Sequence, residues 1–254
     1  MNKHMFDLPE RTVKPRTSGL TMVIDSFMGT RGTEDLIETA SEWVDYVKFG
    51  WGTALVNPIV KKKIKMLRDH DIEVCLGGTF YEVAHVNGKL AEYEEFLNEN
   101  DIKLMEISDG TIDLPRDTKL EHIAHFAKNF KVLSEYGSKD SQAEIKAPRI
   151  WAEHMREELD AGAWKAIAEG RESGTAGMYR QSSELRTGLV DEITETISTD
   201  DILWEAPKKQ HQTWFIQKYG SNVNLGNINP KDVIPLETLR LGLRSDTLLN
   251  FHGN

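Results

Sequence analysis

The stretch from Tyr46 to Leu76, YVKFGWGTALVNPIVKKKIKMLRDHDIEVCL, contains one complete strand–turn–helix–strand unit. Tyr46 to Phe49 reads as a short buried strand closed by Gly50-Trp51-Gly52, a turn signal. Asn57-Pro58 then opens a helix, with Asn57 as cap and Pro58 at the first position, where its missing N–H has no intrahelical partner to lose. The helix leads into a second strand, Glu73 to Leu76.

The same unit recurs in both directions. Upstream, Leu20 to Ile24 is an apolar run ending at Asp25, followed by a helix capped near Thr33 whose apolar face includes Leu36, Ile37, Ala40 and Trp43. Downstream strands are expected at Leu104 to Ile107, Val132 to Ser134, Ala166 to Ala168, Leu203 to Trp204 and Val223 to Leu225. Helices are expected at Leu90 to Asn98, Leu120 to Asn129, Arg149 to Ala161, Glu184 to Ile197, Gln210 to Lys218 and Leu236 to Leu243. Eight strand–helix units in one series imply a parallel sheet with right-handed crossovers. In a chain of 254 residues they match a closed (β/α)₈ TIM barrel, an α/β fold, in a single domain with an N-terminal extension of about 15 residues. A doubly wound open sheet would normally carry a glycine-rich phosphate loop after its first strand; Met28-Gly29-Thr30-Arg31-Gly32 has neither the dinucleotide spacing nor a Walker lysine. The polar stretch Gly137 to Lys146 reads as a long loop after the fifth strand, where barrels keep active-site lids.

Composition narrows the class. A hydrophobic fraction of 39% and a charged fraction of 28% describe an ordinary globular protein, and the single cysteine, Cys75, excludes an internal disulfide and a cysteine-rich zinc site. Lys and Arg number 31 against 41 Asp and Glu, a net charge of −10, so neither nucleic acid nor an anionic membrane is an expected partner. No apolar run reaches the ~20 residues of a membrane span, and MNKHMFDLPER lacks the hydrophobic centre of a secretion signal. A cytoplasmic enzyme is the expectation.

The strand ends carry the chemistry. In a parallel barrel they line the active-site mouth, and here they give Asp25, Lys48, Glu106, Glu135, Glu169 with Arg171 and Glu172, Glu205, and Asn224 with Asn227. Side chains alternate along a strand, so Glu106 shares a face with Ser108, and Glu169 with Arg171. Any one glutamate reads equally well as a polar strand terminus, but four successive strands ending in one do not. Converging carboxylates repel, and their burial requires compensating cations. The candidates are Lys48, Lys139, Arg171 and a divalent, magnesium-like metal.

Other residues carry less. His122 and His125 lie three apart on an outer helix and read as surface or packing residues, and Lys61-Lys62-Lys63 as a solvated helix face. The Trp151, Met155 and Leu159 stripe has the spacing of a packed helix face, Cys75 reads as a small buried strand residue, and His85 lies after the third strand, behind the carboxylates as a candidate.

Several segments resemble the (2R)-phospho-3-sulfolactate synthase family: Gly19-Leu20-Thr21, Val47-Lys48-Phe49-Gly50-Trp51-Gly52-Thr53, Gly77-Gly78-Thr79, Glu106-Ile107-Ser108-Asp109-Gly110, Glu169-Gly170-Arg171-Glu172-Ser173-Gly174, Glu205-Ala206-Pro207, Val223-Asn224-Leu225 and Leu236-Glu237-Thr238-Leu239-Arg240. They follow the family's order across almost the whole chain. The resemblance implies a (β/α)₈ barrel that uses Mg2+ to add sulfite to phosphoenolpyruvate, an early step toward coenzyme M in methanogens and toward sulfolactate in some bacteria. This chain departs from the pattern twice. Asp25-Ser26 stands where the family often has Asp-Lys, and Gly137-Ser138-Lys139 where it often has Gly-Lys-Lys, each with one positive charge fewer.

The implied chemistry assigns roles. Catalysis is expected of Lys139, Glu106, Glu169 and Lys48. Substrate contacts are expected of Arg171, Lys48, Asp25, Glu172, Glu205, Asn224, Gly226 and Asn227, and metal contacts of Glu106, Glu135 and Glu169. Sulfite attack at C3 drives electrons into the substrate carboxylate as an aci-carboxylate dianion, quenched by a proton at C2. Lys139 is the expected acid, its pKa lowered toward neutrality by neighbouring cations or desolvation. Arg171 suits bidentate contact with an oxyanion, and the amides around Gly226-Asn227 suit a phosphate. The expected partners are these two small anions and a second copy of the chain in a homo-oligomer. Two alternatives remain: a lysine-Schiff-base aldolase acting through Lys48, and a non-catalytic small-anion-binding barrel.

Overall fold

The computed structural model describes residues 6–139 and 146–253; the expected lid over Gly137 to Lys146 lies for the most part, at 140–145, outside the described residues. Among the described residues, eight strands close into a barrel in sequence order, and every neighbouring pair is parallel. In chain order the elements are β1 (Thr21–Asp25), α1 (Thr30–Ala40), β2 (Tyr46–Phe49), α2 (Thr53–Val56), α3 (Val60–Arg68), β3 (Glu73–Leu76), α4 (Gly78–Val86), α5 (Leu90–Glu99), β4 (Leu104–Ser108), α6 (Arg116–Phe126), β5 (Lys131–Tyr136), α7 (Pro148–Asp160), β6 (Lys165–Ala168), α8 (Thr187–Thr196), β7 (Ile202–Glu205), α9 (Lys209–Tyr219), β8 (Leu225–Ile228), α10 (Val233–Arg240) and α11 (Leu248–His252). No helix among the described residues is long and apolar enough to cross a membrane.

The strands are buried on both faces, so they read as unbroken apolar runs. Alternate residues form two cores. Val23, Val47, Met105, Val132, Ala166 and Trp204 face outward onto the helices. Leu20, Met22, Tyr46, Cys75, Leu104, Leu133, Ile167 and Leu203 fill the barrel interior. Two residues further along each strand the same inward parity delivers Ile24, Lys48, Gly77, Glu106, Glu135, Glu169 and Glu205, all of which line the mouth. An apolar plug thus carries a charged layer directly above it.

Several boundaries differ from the sequence reading. Thr53–Val56 forms its own helical turn, and the Asn57 side chain accepts a hydrogen bond from Ile59 N at 3.1 Å, so Pro58 stays in that turn and the main helix starts at Val60. Helix α4 was not anticipated; it starts directly off β3 through Gly77-Gly78. The last strand begins at Leu225, two residues later than expected, which moves Asn224 to the opposite end of the barrel. That end, the floor, is crossed by the N-terminal segment, tied down by Arg11 to Glu237 at 2.8 Å and Arg16 to Asp45 at 3.1 Å.

Candidate active site

The mouth is a cavity of about 450 Å³. Lys48, on the inward face of β2, is buried between two carboxylates, with Nζ 2.9 Å from Glu106 Oε1 and 3.2 Å from Glu205 Oε1. Burial alone would lower its pKa, but Glu106, Glu205 and Glu135 outweigh it and raise the pKa well above the usual lysine range. Lys139 reaches in from the loop after β5. Its Nζ lies 2.9 Å from Glu135 Oε1 and donates to Ser108 Oγ at 2.8 Å. The expectation of a lowered Lys139 pKa is overturned in direction: burial pushes it down, but Glu135, Glu169 and Glu82 more than compensate, and it is raised. Both ammonium groups are therefore held charged.

The carboxylates divide the negative charge unevenly. Glu106 accepts from Gly78 N at 2.8 Å through Oε2 while Oε1 faces Lys48; burial, partly offset by Lys48, lifts its pKa to about 7. Glu205 accepts from Gly170 N at 2.8 Å. Burial raises the pKa of Glu135 too, but Lys139, Lys48 and a hydrogen bond from Glu169 prevail and hold it at about 2. Glu169 goes the other way. Burial, with Glu135 and Glu205 beside it, raises its pKa well above the ordinary value. Its Oε1 accepts from Arg171 N at 2.6 Å, and its Oε2 is buried with no partner.

Three of these carboxylates, Glu135, Glu169 and Glu205, each offer an oxygen within 4.8 Å of the others. That is a hard-oxygen donor set of the kind magnesium takes, and the unpartnered Glu169 Oε2 is an available ligand atom within it. The expected trio named Glu106 in place of Glu205. Glu106 stands in the same layer, with Oε1 beside Lys48 and Oε2 on the Gly78 amide, while Glu205 meets Lys48 through Oε1 and the Gly170 amide through Oε2.

Arg171 and Glu172 line the rim. Arg171 sits at φ 58° and donates to Lys139 O at 3.0 Å, tying the loop after β6 to the loop after β5. Asn227 also reaches the mouth. The register between β1 and β8 slips between Thr21 and Val23, and Asn227 takes φ 54°, a bulge that turns its side chain into the cavity. Gly226 lies one step below, where an added Cβ would stand 3.0 Å from Met22 Cε in the interior core; it makes room for packing.

Two expected substrate contacts are corrected. Asp25 has the outward parity of Val23; its Oδ1 accepts from Phe27 N and Met28 N at 3.0 and 2.8 Å, and its Oδ2 pairs with Lys63. Lys63 is accordingly buried, not part of a solvated face. Asn224, at the floor, accepts from Leu20 N at 3.1 Å and donates to Asp200 O and Ile202 O at 3.0 Å. His85 packs on α4 against Tyr81 and His122, away from the mouth.

Sequence reasoning passed over Thr79, Glu82 and Thr111. Thr79 and Thr111 line the cavity, and Glu82 stands behind it on α4. The available signal was Gly77-Gly78: an added Cβ on Gly78 would lie 2.6 Å from Ser108 Cβ, so only glycine lets this helix start so close to β4. Gly110 plays the same part for Lys139, whose Cγ would stand 3.0 Å from an added Cβ and whose amide donates to Gly110 O at 3.1 Å.

A closed parallel barrel with buried lysines and glutamates converging at the C-terminal ends of its strands defines a (β/α)₈-barrel enzyme. Similarity to solved structures agrees at the level of fold: 3-hexulose-6-phosphate synthase is matched with a TM-score of 0.53 at 15% identity, over 87% of this chain and 99% of that one. The chain belongs to the (2R)-phospho-3-sulfolactate synthase family, whose sequence model matches residues 9–246. It is 43% identical over 249 residues to the phosphosulfolactate synthase of Bacillus subtilis (strain 168), covering 97% of this chain and 99% of that protein. It is 41% identical over 253 residues to the phosphosulfolactate synthase of Methanothermobacter thermautotrophicus, covering 98% of each.

Proposed function

We propose that this protein is a phosphosulfolactate synthase, a carbon–sulfur bond-forming lyase that adds sulfite to C3 of phosphoenolpyruvate and yields (2R)-2-phospho-3-sulfolactate. The observation that carries the proposal is the joining, in one cavity of a chain from this family, of the Glu135–Glu169–Glu205 oxygen cluster with the charged Lys48 and Lys139.

The sulfur lone pair of sulfite forms the new bond to C3, the C2–C3 π electrons move toward the carboxylate, and C2 then takes a proton; no other bond breaks. Glu135, Glu169 and Glu205 would hold magnesium, which supplies positive charge beside the substrate carboxylate as it becomes doubly negative. Lys48 adds fixed positive charge on the β2 side, locked in place by Glu106 and Glu205. Lys139 delivers the proton at C2 from Nζ. Its raised pKa keeps it in the acid form, and a carbon this basic takes the proton readily. Arg171 and Asn227 would meet the oxyanion and phosphate oxygens, and Glu172 borders the same opening.

A Schiff-base aldolase would need a neutral Lys48 amine, whereas this one is clamped between two carboxylates and kept protonated. We place the activity in the cytoplasm. A homo-oligomer belongs to the same proposal, and the exposed apolar Phe27, Leu55, Val56 and Val86 support it as surface that a second copy would cover.

Purified protein incubated with phosphoenolpyruvate, sulfite and magnesium should form an organic sulfonate with no release of inorganic phosphate. Absence of the sulfonate would overturn the assignment. Glu169→Gln should raise the magnesium concentration needed for half-maximal rate; an unaltered titration would remove Glu169 from the metal set.

A further inference from the structure

Behind the mouth stands a buried carboxylate that neither the metal-type cluster nor the rim contacts use. Glu82 lies on α4 four residues after Gly78, on the same helix face, and is 2% exposed. Ser108 Oγ donates to Glu82 Oε1 at 2.7 Å, and Thr111 N donates to the same oxygen at 3.0 Å. Glu82 Oε2 is buried without a partner.

The direction of these bonds is fixed by proton inventory. A serine hydroxyl has one proton to give. With that proton committed to Glu82, Ser108 faces the mouth with lone pairs only, and these accept from Lys139 Nζ at 2.8 Å. The ammonium is thus held at two points, Ser108 and Glu135, with Thr79 Oγ1 at 3.5 Å and Glu82 Oε1 at 3.7 Å completing its surroundings. Lysine carries a large rotamer entropy on its four-carbon stem, and a proton donor useful to one face of C2 must give that freedom up beforehand. Burying a carboxylate for stability alone is poor economy of structure, because well-packed apolar side chains commonly do as well or better.

We propose that Glu82 is a positioning residue for the reaction: by locking the Ser108 rotor it fixes Lys139 Nζ on one side of the mouth, aimed at C2 of the substrate. This deepens the function proposed above and rests on it.

Four variants test the proposal: Glu82→Ala, Glu82→Gln, Ser108→Ala and the double variant Glu82→Ala with Ser108→Ala. Glu82→Ala and Ser108→Ala should each lower kcat by about 10- to 100-fold, with the KM for phosphoenolpyruvate changed less than about threefold. The double variant should be no worse than the weaker single one, since both act on one rotor. Glu82→Gln keeps an oxygen to accept from Ser108 and should restore most of kcat. The product of Glu82→Ala should lose enantiomeric purity at C2, which a general loss of stability would not cause. An unchanged kcat in Glu82→Ala, losses that multiply in the double variant, or no rescue by Glu82→Gln would each overturn the inference. If Glu82→Ala does not fold, Ser108→Ala carries the same test. A crystal structure of Ser108→Ala gives a readout independent of turnover: Lys139 Nζ should leave its place beside Glu135, and its staying put would sink the inference. No sulfonate from the unaltered protein would instead sink the proposed function alone.

Discussion

The two ends of the barrel hold their buried charge in opposite ways. At the floor, Arg16 meets Asp45, Arg11 meets Glu237, and Arg240 donates to Ser221 O, Val223 O and Leu20 O at 2.7, 2.6 and 3.1 Å. Cation meets anion or carbonyl there, and strand ends are tied to neighbouring strand ends. At the mouth, Glu106, Glu135, Glu169 and Glu205 crowd around Lys48 and Lys139, and oxygens of Glu82, Glu169 and Asn227 are buried without partners. The floor pairs its charged groups, although Arg240 Nε is left without a partner, and so contributes to folding. The mouth leaves groups wanting, which costs stability and creates affinity for something that arrives later.

If that contrast is correct, the largest effect comes from the mouth. Lys139→Ala should lower turnover by about 10²- to 10⁴-fold while phosphoenolpyruvate affinity falls little; steady-state kinetics with separate kcat and KM checks it, and an unchanged rate would break the contrast at its most exposed point. Next comes the floor. Arg16→Ala strands the buried Asp45 carboxylate and should destabilise the fold by about 3–5 kcal/mol, read by urea denaturation, while the folded fraction keeps its kcat. Asn224→Ala should cost roughly 1–3 kcal/mol through its unpaired backbone partners, with no change in KM. A raised KM would return Asn224 to the substrate site.

The smallest effect has the opposite sign. The folded-state pKa of Glu169 is raised, so the folded protein binds that proton more tightly than the unfolded chain does. Its contribution to stability is complete below the ordinary carboxylate range and is lost as pH rises through the raised value. Glu169→Gln has no proton to lose. In a chelator its melting temperature should exceed that of the unaltered protein by a few degrees at pH 8, the gap closing toward pH 4.5; a mutant no more stable at pH 8 would contradict the assignment of strain to the mouth.

Much of this was legible beforehand. Strand–helix alternation specified the barrel because short, doubly buried strands between amphipathic helices have few other arrangements. The glutamates after Leu104, Leu133, Ile167 and Leu203 were found by reading each strand to its end, and all four converge. Asp25 was misplaced because the strand end was read without parity: Leu20, Met22 and Ile24 point inward, so Asp25 points out, to Lys63. Asn224 was misplaced by a boundary, since Val223 is as apolar as the strand it precedes. Glu82 was invisible for a different reason. It reaches the site from a helix, through a hydroxyl, and no strand-end rule points there.

The bare Cα of Gly78 has a reach beyond its own turn. Its amide anchors Glu106, and its missing methyl lets α4 settle against Ser108. A redesign that kept every ionisable side chain but placed alanine at 78 would shift the helix outward, loosening Glu106 and Glu82 in a single stroke. Tolerance at this one position therefore gauges how much slack the catalytic end can absorb.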